Sequence, residues 1–135
     1  MTSHSKQTKR IAINIIIDSQ DDILMGRRNG SGLFTNPGGH AEDGEDIHCA
    51  AMRELKEETG LDATCIKLVK VHFVKEKSLM LYVFETKVDP NQEIDATNDP
   101  DNEVDYWQYV DPNSIKKELH VPLEQNVALK WWANS

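Results

Sequence analysis

Six consecutive residues, Arg53-Glu54-Leu55-Lys56-Glu57-Glu58, carry the densest chemistry in the chain. At 3.6 residues per helical turn, Glu54, Glu57 and Glu58 fall within an arc of about 100°. Three carboxylates on one helix face repel one another. A divalent cation removes that cost, and magnesium takes oxygen ligands: a few carboxylates, waters and substrate phosphates. Arg53 stands four residues before Glu57, the spacing of an ion pair along a helix. Ala50 lies on the same face one turn earlier, where its small side chain is expected to leave room for a ligand. Taken alone, a Glu-rich face is equally compatible with plain solvation.

The helix that must hold these residues is expected over 46–59. Asp46 can cap its start, and Gly60 can end it in a left-handed conformation. Ile47, Ala51 and Leu55 recur every four residues and form an apolar edge for burial. Upstream, residues 11–18 are β-branched and apolar and read as a buried strand. A polar turn at 19–22 leads to a second strand at 23–27, so a hairpin is expected. Asn29-Gly30-Ser31-Gly32 reads as a flexible loop, and Asn36-Pro37-Gly38-Gly39 as a tight, irregular segment. Downstream, strands are expected over 64–74 and 79–88, joined by the charged turn 75–78. Residues 89–102, rich in Asp, Asn and Pro, read as a long surface loop. A strand over 104–110, a short helix over 112–119 and a longer one over 123–132 complete an α+β or α/β layered domain.

At 135 residues the chain suits one domain, expected over 11–135 behind a flexible N-terminal end at 1–10. A core of this size needs no disulfide or metal to fold. The longest apolar run, Ile15-Ile16-Ile17, is far short of the roughly 18–20 residues of a membrane span. The start is polar and basic, without the apolar core of a signal peptide, so the cytoplasm is the expected compartment. Cys49 and Cys65 have no metal-ligand spacing and are expected to be reduced thiols. A net charge of −8 argues against holding nucleic acid through its phosphates. It suits solubility, or a phosphate-rich small ligand whose charge is screened by cations.

The residues around the helix extend the pattern. Gly39 is followed after five residues by Glu45, then after seven by Arg53-Glu54-Leu55, then by Glu57-Glu58 and Gly60-Leu61. This resembles the Nudix box at every defined position over 23 residues. Pro37 and Gly38 extend the likeness, since Pro-Gly-Gly commonly opens the box in that family. The order of elements resembles a Nudix domain more loosely.

The resemblance implies a mixed β-sheet sandwiched between helices. It also implies magnesium-dependent hydrolysis of a nucleoside diphosphate linked to another moiety, with manganese as a substitute ion. By position, Glu57 and Glu58 are then metal ligands, and Glu54 is a ligand or the base that activates water. The Gly38 carbonyl is a further ligand, Arg53 orients the carboxylates, and Glu45 supports them from the preceding loop. Bound metal supplies what diphosphate hydrolysis needs, charge neutralisation and an acidified water.

Residues outside the box are less constrained. Glu103, in Glu103-Val104-Asp105-Tyr106-Trp107, resembles the distant Glu that family members add as a ligand; Glu93, Asp99, Asp101 and Asp105 compete with it. Arg28 stands where MutT-type members place an Arg on substrate phosphate, with Arg27 as its neighbour. Asn126 stands where such members set an Asn against the base. His40 either touches phosphate or orders the loop, and the structural role is favoured. Trp107, Trp131 and Trp132 are expected in the core.

Subfamily marks are absent: the position 16 beyond Leu61 is Lys77 rather than Pro, and Tyr82 lies beyond the spacing of dinucleoside polyphosphate hydrolases. The compact length then resembles MutT-type enzymes, which implies a nucleoside triphosphate converted to monophosphate and pyrophosphate. ADP-ribose, a nucleotide sugar and a dinucleoside polyphosphate are the alternatives. A non-catalytic ligand sensor would ordinarily lack one of the three helix carboxylates, and all are present. An RNA 5′-end pyrophosphohydrolase is disfavoured by the acidic balance. Monomer and homodimer are both compatible with the sequence.

Overall fold

The computed structural model describes residues 10–63, 65–89, 91–96, 102–114 and 124–134. Its elements are β1 (Arg10–Ser19), β2 (Asp22–Arg28), β3 (Phe34–Thr35), β4 (Gly38–His40), α1 (Ile47–Thr59), β5 (Lys67–Val74), β6 (Leu79–Lys87), β7 (Val104–Val110) and α2 (Glu124–Ala133). Strand β1 organises the sheet. It runs parallel to β6 over its first nine residues, from Arg10 opposite Leu79 to Asp18 opposite Lys87. On its other side it pairs with β4 near its start and with β2 near its end, both antiparallel. Beyond these, β3 and β7 pair with β2, and β5 pairs with β6.

Side chains on β1 alternate between two cores. Ile13, Ile15 and Ile17 pack with Leu24, Phe84 and the α1 residues Ala50, Ala51 and Leu55. Ala12 and Ile16 pack with Ile23, Met25, Leu81, Val83 and Ala128 of α2. The sheet is therefore covered by a helix on each face. A strand buried on both faces reads as a near-continuous apolar run, which is why residues 11–17 are apolar at every position but Asn14. The β1–β2 hairpin closes through Gln20 and Asp21, both at positive φ (52° and 71°). That pair of left-handed residues gives the turn a twist matching the strands.

Several boundaries differ from the sequence reading. Arg10, assigned to the flexible N-terminal end, is the first residue of β1, and its guanidinium donates to the Lys77 carbonyl at 2.8 Å. Strand β5 starts at Lys67, because the Cys65 carbonyl is drawn aside by the Thr86 hydroxyl at 2.6 Å. Strand β3 lies in a stretch given no element from the sequence, and β4 starts in the segment read as irregular backbone. Gly38 and Gly39 offer no side-chain pattern to read, and their strand form is imposed by pairing with Asn14 and Ile13 of β1. Ala50, expected to leave room for a ligand, is fully buried in the α1 core. Residues 112–114 form a single 3₁₀ turn; 115–119 lie outside the described residues. No helix among the described residues is long and apolar enough to cross a membrane.

Leu55 ties the charged segment to the core, being 1% exposed. Leu55→Ala should destabilise the fold by about 2–5 kcal/mol through lost burial and a residual cavity. Denaturant unfolding checks this; a loss below 1 kcal/mol would show that α1 is anchored elsewhere.

Candidate active site

The start of α1 is fixed by Asp46, whose carboxylate accepts the Cys49 N–H at 3.1 Å. Its end is fixed by Gly60 at φ 71°, whose N–H donates to the Lys56 carbonyl. Packing on the apolar edge then turns Arg53, Glu54, Glu57 and Glu58 toward β4 and the loop that follows it.

Arg53 is the hub. Its Nε and one terminal nitrogen (Nη2) grip both Glu45 oxygens, at 2.9 and 3.0 Å. That same nitrogen also donates to the His40 carbonyl at 3.2 Å. The other (Nη1) donates to Glu54 at 3.0 Å and Glu57 at 2.9 Å. A guanidinium has five N–H donors, and five bonds are made. The surrounding carboxylates, Glu45 foremost, raise the Arg53 pKa still further above its ordinary value. Reciprocally, Arg53 first and the Glu42 N–H second pull Glu45 from an ordinary 4.5 down to about 2.

The glycines make room for this arrangement. The Gly38 N–H donates to Glu58 at 2.5 Å. A Cβ on Gly38 would collide with the Ile13 carbonyl oxygen. A Cβ on Gly39 would stand 2.5 Å from a Glu54 carboxylate oxygen. Both positions thus need glycine so that backbone and carboxylate can approach. Two contacts here escaped the sequence reading: the Gly38 N–H on Glu58, where the carbonyl was expected to serve, and the His40 carbonyl on Arg53. Backbone groups carry no side-chain signature; only the paired glycines hinted at a close approach.

The donor set is all oxygen, the type a hard divalent cation takes. As the side chains stand, no three His, Cys, Asp or Glu among the described residues converge to hold a metal. Arg53 holds one oxygen each of Glu54 and Glu57, and the Gly38 N–H holds one oxygen of Glu58. The donors fit a cation by chemistry, because a carboxylate can accept several partners at once through its two oxygens.

The expected residues outside the helix make contacts of their own. Arg28 and Glu103, expected to serve substrate and metal separately, pair with each other at 3.2 Å. Arg27 pairs with Asp105 across the same β2–β7 ladder. The His40 side chain is exposed, and its part in the network is through its carbonyl. Asn126 lies in α2, but its side chain is outside the described residues, as are Asp99 and Asp101. Trp107, Trp131 and Trp132 pack against the two cores. Cys49 and Cys65 are free thiols, and the charge of Asp46 raises the Cys49 pKa.

The depressed Glu45 pKa makes a pH prediction. A lowered folded-state pKa contributes stability that is complete above the unfolded value, here 4.5, and is lost as pH falls toward about 2. Glu45→Gln should lower the melting temperature above pH 4.5, and the gap from the parent chain should close as pH falls toward 2. A gap independent of pH would mean that the ion pair contributes nothing.

Comparison with known proteins agrees with the geometry. A model of the NUDIX domain matches residues 8–131. The phosphatase NudJ of Shigella boydii serotype 4 (strain Sb227) is 32% identical over 100 residues, 70% of this chain and 63% of that protein. An ADP-ribose pyrophosphatase of Methanocaldococcus jannaschii is 43% identical over 54 residues, 38% of this chain and 32% of that protein. An 8-oxo-dGTP diphosphatase of Proteus vulgaris is 35% identical over 63 residues, 44% of this chain and 56% of that protein. Matched stretches thus span between 20% and 63% of such relatives' own lengths. The crystal structure of a MutT NUDIX hydrolase from Burkholderia pseudomallei superposes with a TM-score of 0.74, covering 92% of this chain and 98% of that one, at 17% identity. At that identity the likeness establishes the fold, a mixed sheet with a helix on each face. With the family match running from residue 8 to residue 131, the chain belongs to the NUDIX domain family.

Proposed function

We propose that this chain is a magnesium-dependent hydrolase that cleaves a diphosphate bond, with a nucleoside triphosphate as substrate and nucleoside monophosphate and pyrophosphate as products. The carboxylate face of α1, clamped by Arg53 and backed by Gly38 and Gly39, carries the reading. The family generally works with a divalent metal; Glu54, Glu57 and Glu58 with the Gly38 backbone are the groups that would hold it here. Such a cation, when bound, neutralises phosphate charge and acidifies water.

The protein's own residues divide the remaining work. Arg53 holds Glu54 and Glu57 together and ties them to the loop through Glu45 and the His40 carbonyl. Glu54 is 13% exposed, which suits a ligand or a base shielded from bulk water. Arg28 is 39% exposed beside Glu103, and a phosphate can compete for it, since exposed pairs are weak. Asn126 offers an amide donor and acceptor suited to a base edge. The triphosphate reading is supported by the 8-oxo-dGTP diphosphatase relative and the compact domain. The ADP-ribose pyrophosphatase relative makes a nucleoside diphosphate sugar its rival. A cytoplasmic location is part of the same reading.

Activity should require magnesium or manganese and vanish with a chelator; full turnover in metal-free buffer would refute the mechanism. Glu57→Gln or Glu58→Gln should cut kcat by about 100-fold or more, about 2.7 kcal/mol, with the fold retained. Gly39→Ala should also lower kcat, because its methyl meets the movable end of Glu54. Near-parental rates in these variants would remove the carboxylate face from the chemistry.

Substrate class is decided by kcat/KM across nucleoside triphosphates, ADP-ribose, nucleotide sugars and dinucleoside polyphosphates, with products resolved by chromatography. The expected order puts a triphosphate first. If another class leads by tenfold or more, about 1.4 kcal/mol in transition-state binding, the triphosphate assignment fails while the diphosphatase reading stands.

A further inference from the structure

The core under α2 runs into a charged end. Ile16 and Val83 belong to that core. Asp18 and Glu85 stand two residues further along the same two strands, so alternation puts them on the same face. The parallel register sets Ile16 opposite Glu85 and Asp18 opposite Lys87. Across β6, Lys67 of β5 lies opposite Glu85. Two acids and two lysines thus meet on one patch of sheet.

This register offers two opposite-charge pairs, Asp18 with Lys87 and Glu85 with Lys67. Neither closes: among the described residues none of the four enters an ion pair. The two acids bond to each other instead. Both acids are half-buried, while both lysines are exposed. An ionised carboxylate only accepts, so two carboxyl groups share a hydrogen bond when one of them holds a proton. Burial first, and the bond to Asp18 second, push Glu85 above its ordinary 4.5, against the pull of Lys87 and Lys67. Other neighbours are neutral or turned away. Ile23, opposite Asp18 on β2, is apolar, and Asp22, opposite Ser19, lies on the other face. Further along β5, Lys70 lies opposite Val83 and is exposed. The described α2 side chains packed on this core are apolar, and Lys130 of α2 is exposed.

We propose that Asp18, Glu85, Lys67 and Lys87 form a proton-operated switch at the end of the β1–β6 ladder. In acid, Glu85 donates to Asp18. At neutral pH the two carboxylates part, Asp18 taking Lys87 and Glu85 taking Lys67. Both arrangements use partners that the strand register already sets side by side. Lys87 is the last residue of β6, and the chain beyond it is bonded to the end of α1 where the Asp95 N–H meets the Thr59 carbonyl. The exchange therefore acts where that segment leaves the sheet. A raised folded-state pKa contributes stability that is complete below the unfolded 4.5 and is lost as pH rises through the folded value.

The test uses the full chain with isotope-labelled carboxyl groups, titrated by NMR, together with melting temperatures above pH 4.5, where the Glu45 contribution is complete. Glu85, identified by its loss in Glu85→Gln, should titrate above 4.5 in the parent, lower in Asp18→Asn and higher still in Lys67→Gln. Glu85→Gln should melt above the parent at neutral pH, the gap closing as pH falls toward 4.5. Lys67→Gln and Lys87→Gln should each melt below the parent at neutral pH and level with it in acid, because only the second arrangement uses the lysines. A Glu85 midpoint at 4.5, or one indifferent to Asp18→Asn, would remove the shared proton and overturn the proposal. Lysine variants that differ from the parent equally in acid and at neutral pH would remove the second pairing and overturn it too.

Discussion

A single guanidinium sets the geometry of the charged site. Arg53 meets two carboxylates of its own helix, one carboxylate of the preceding loop and one backbone carbonyl, using all five donors. Without a cation of some kind, Glu54 and Glu57 one turn apart would repel. Planar, always charged and rich in donors, Arg suits a role that Lys, a point charge, cannot fill. The loop, the helix and the carboxylate orientations therefore depend on one side chain that is 29% exposed.

That hub works only because the sheet brings β4 beneath the helix. The pairing of Gly38 and Gly39 with β1 places two residues without side chains against Glu54 and Glu58. The same strand β1 carries both cores, so the position of the carboxylates is referred directly to the most buried part of the molecule. Gln92 and Asp95 tie the following loop to the other end of the helix. The Asp95 N–H donates to the Thr59 carbonyl, and the Gln92 side chain bonds both backbone groups of Asp62. The helix is thus held at both ends and along its apolar edge.

Much of this was legible in the residues. Apolar spacing at Ile47, Ala51 and Leu55 located α1, and Asp46 and Gly60 marked its ends because capping is a local matter of side-chain chemistry and φ. The Arg53–Glu57 pair followed from helical periodicity. Strands with β-branched runs were visible, whereas β3 and β4 were not, since two- and three-residue strands hold their form through partners far along the chain. Ala50 shows the limit of face counting: small size was read as space for a ligand, and the residue instead lets α1 approach the sheet.

Sequence alone determined the kind of chemistry. It supplied the carboxylates, the arginine, the glycines and the spacing that puts them on one helical face, all consequences of residue type and the 3.6-residue period. Tertiary structure decided which groups meet. It set Arg28 against Glu103, Arg27 against Asp105, the Gly38 N–H against Glu58 and the His40 carbonyl against Arg53. These contacts join residues 13 to 78 positions apart or use backbone atoms identical in every residue. No local rule encodes them; they arise where the two-faced packing of β1 fixes strand order and register.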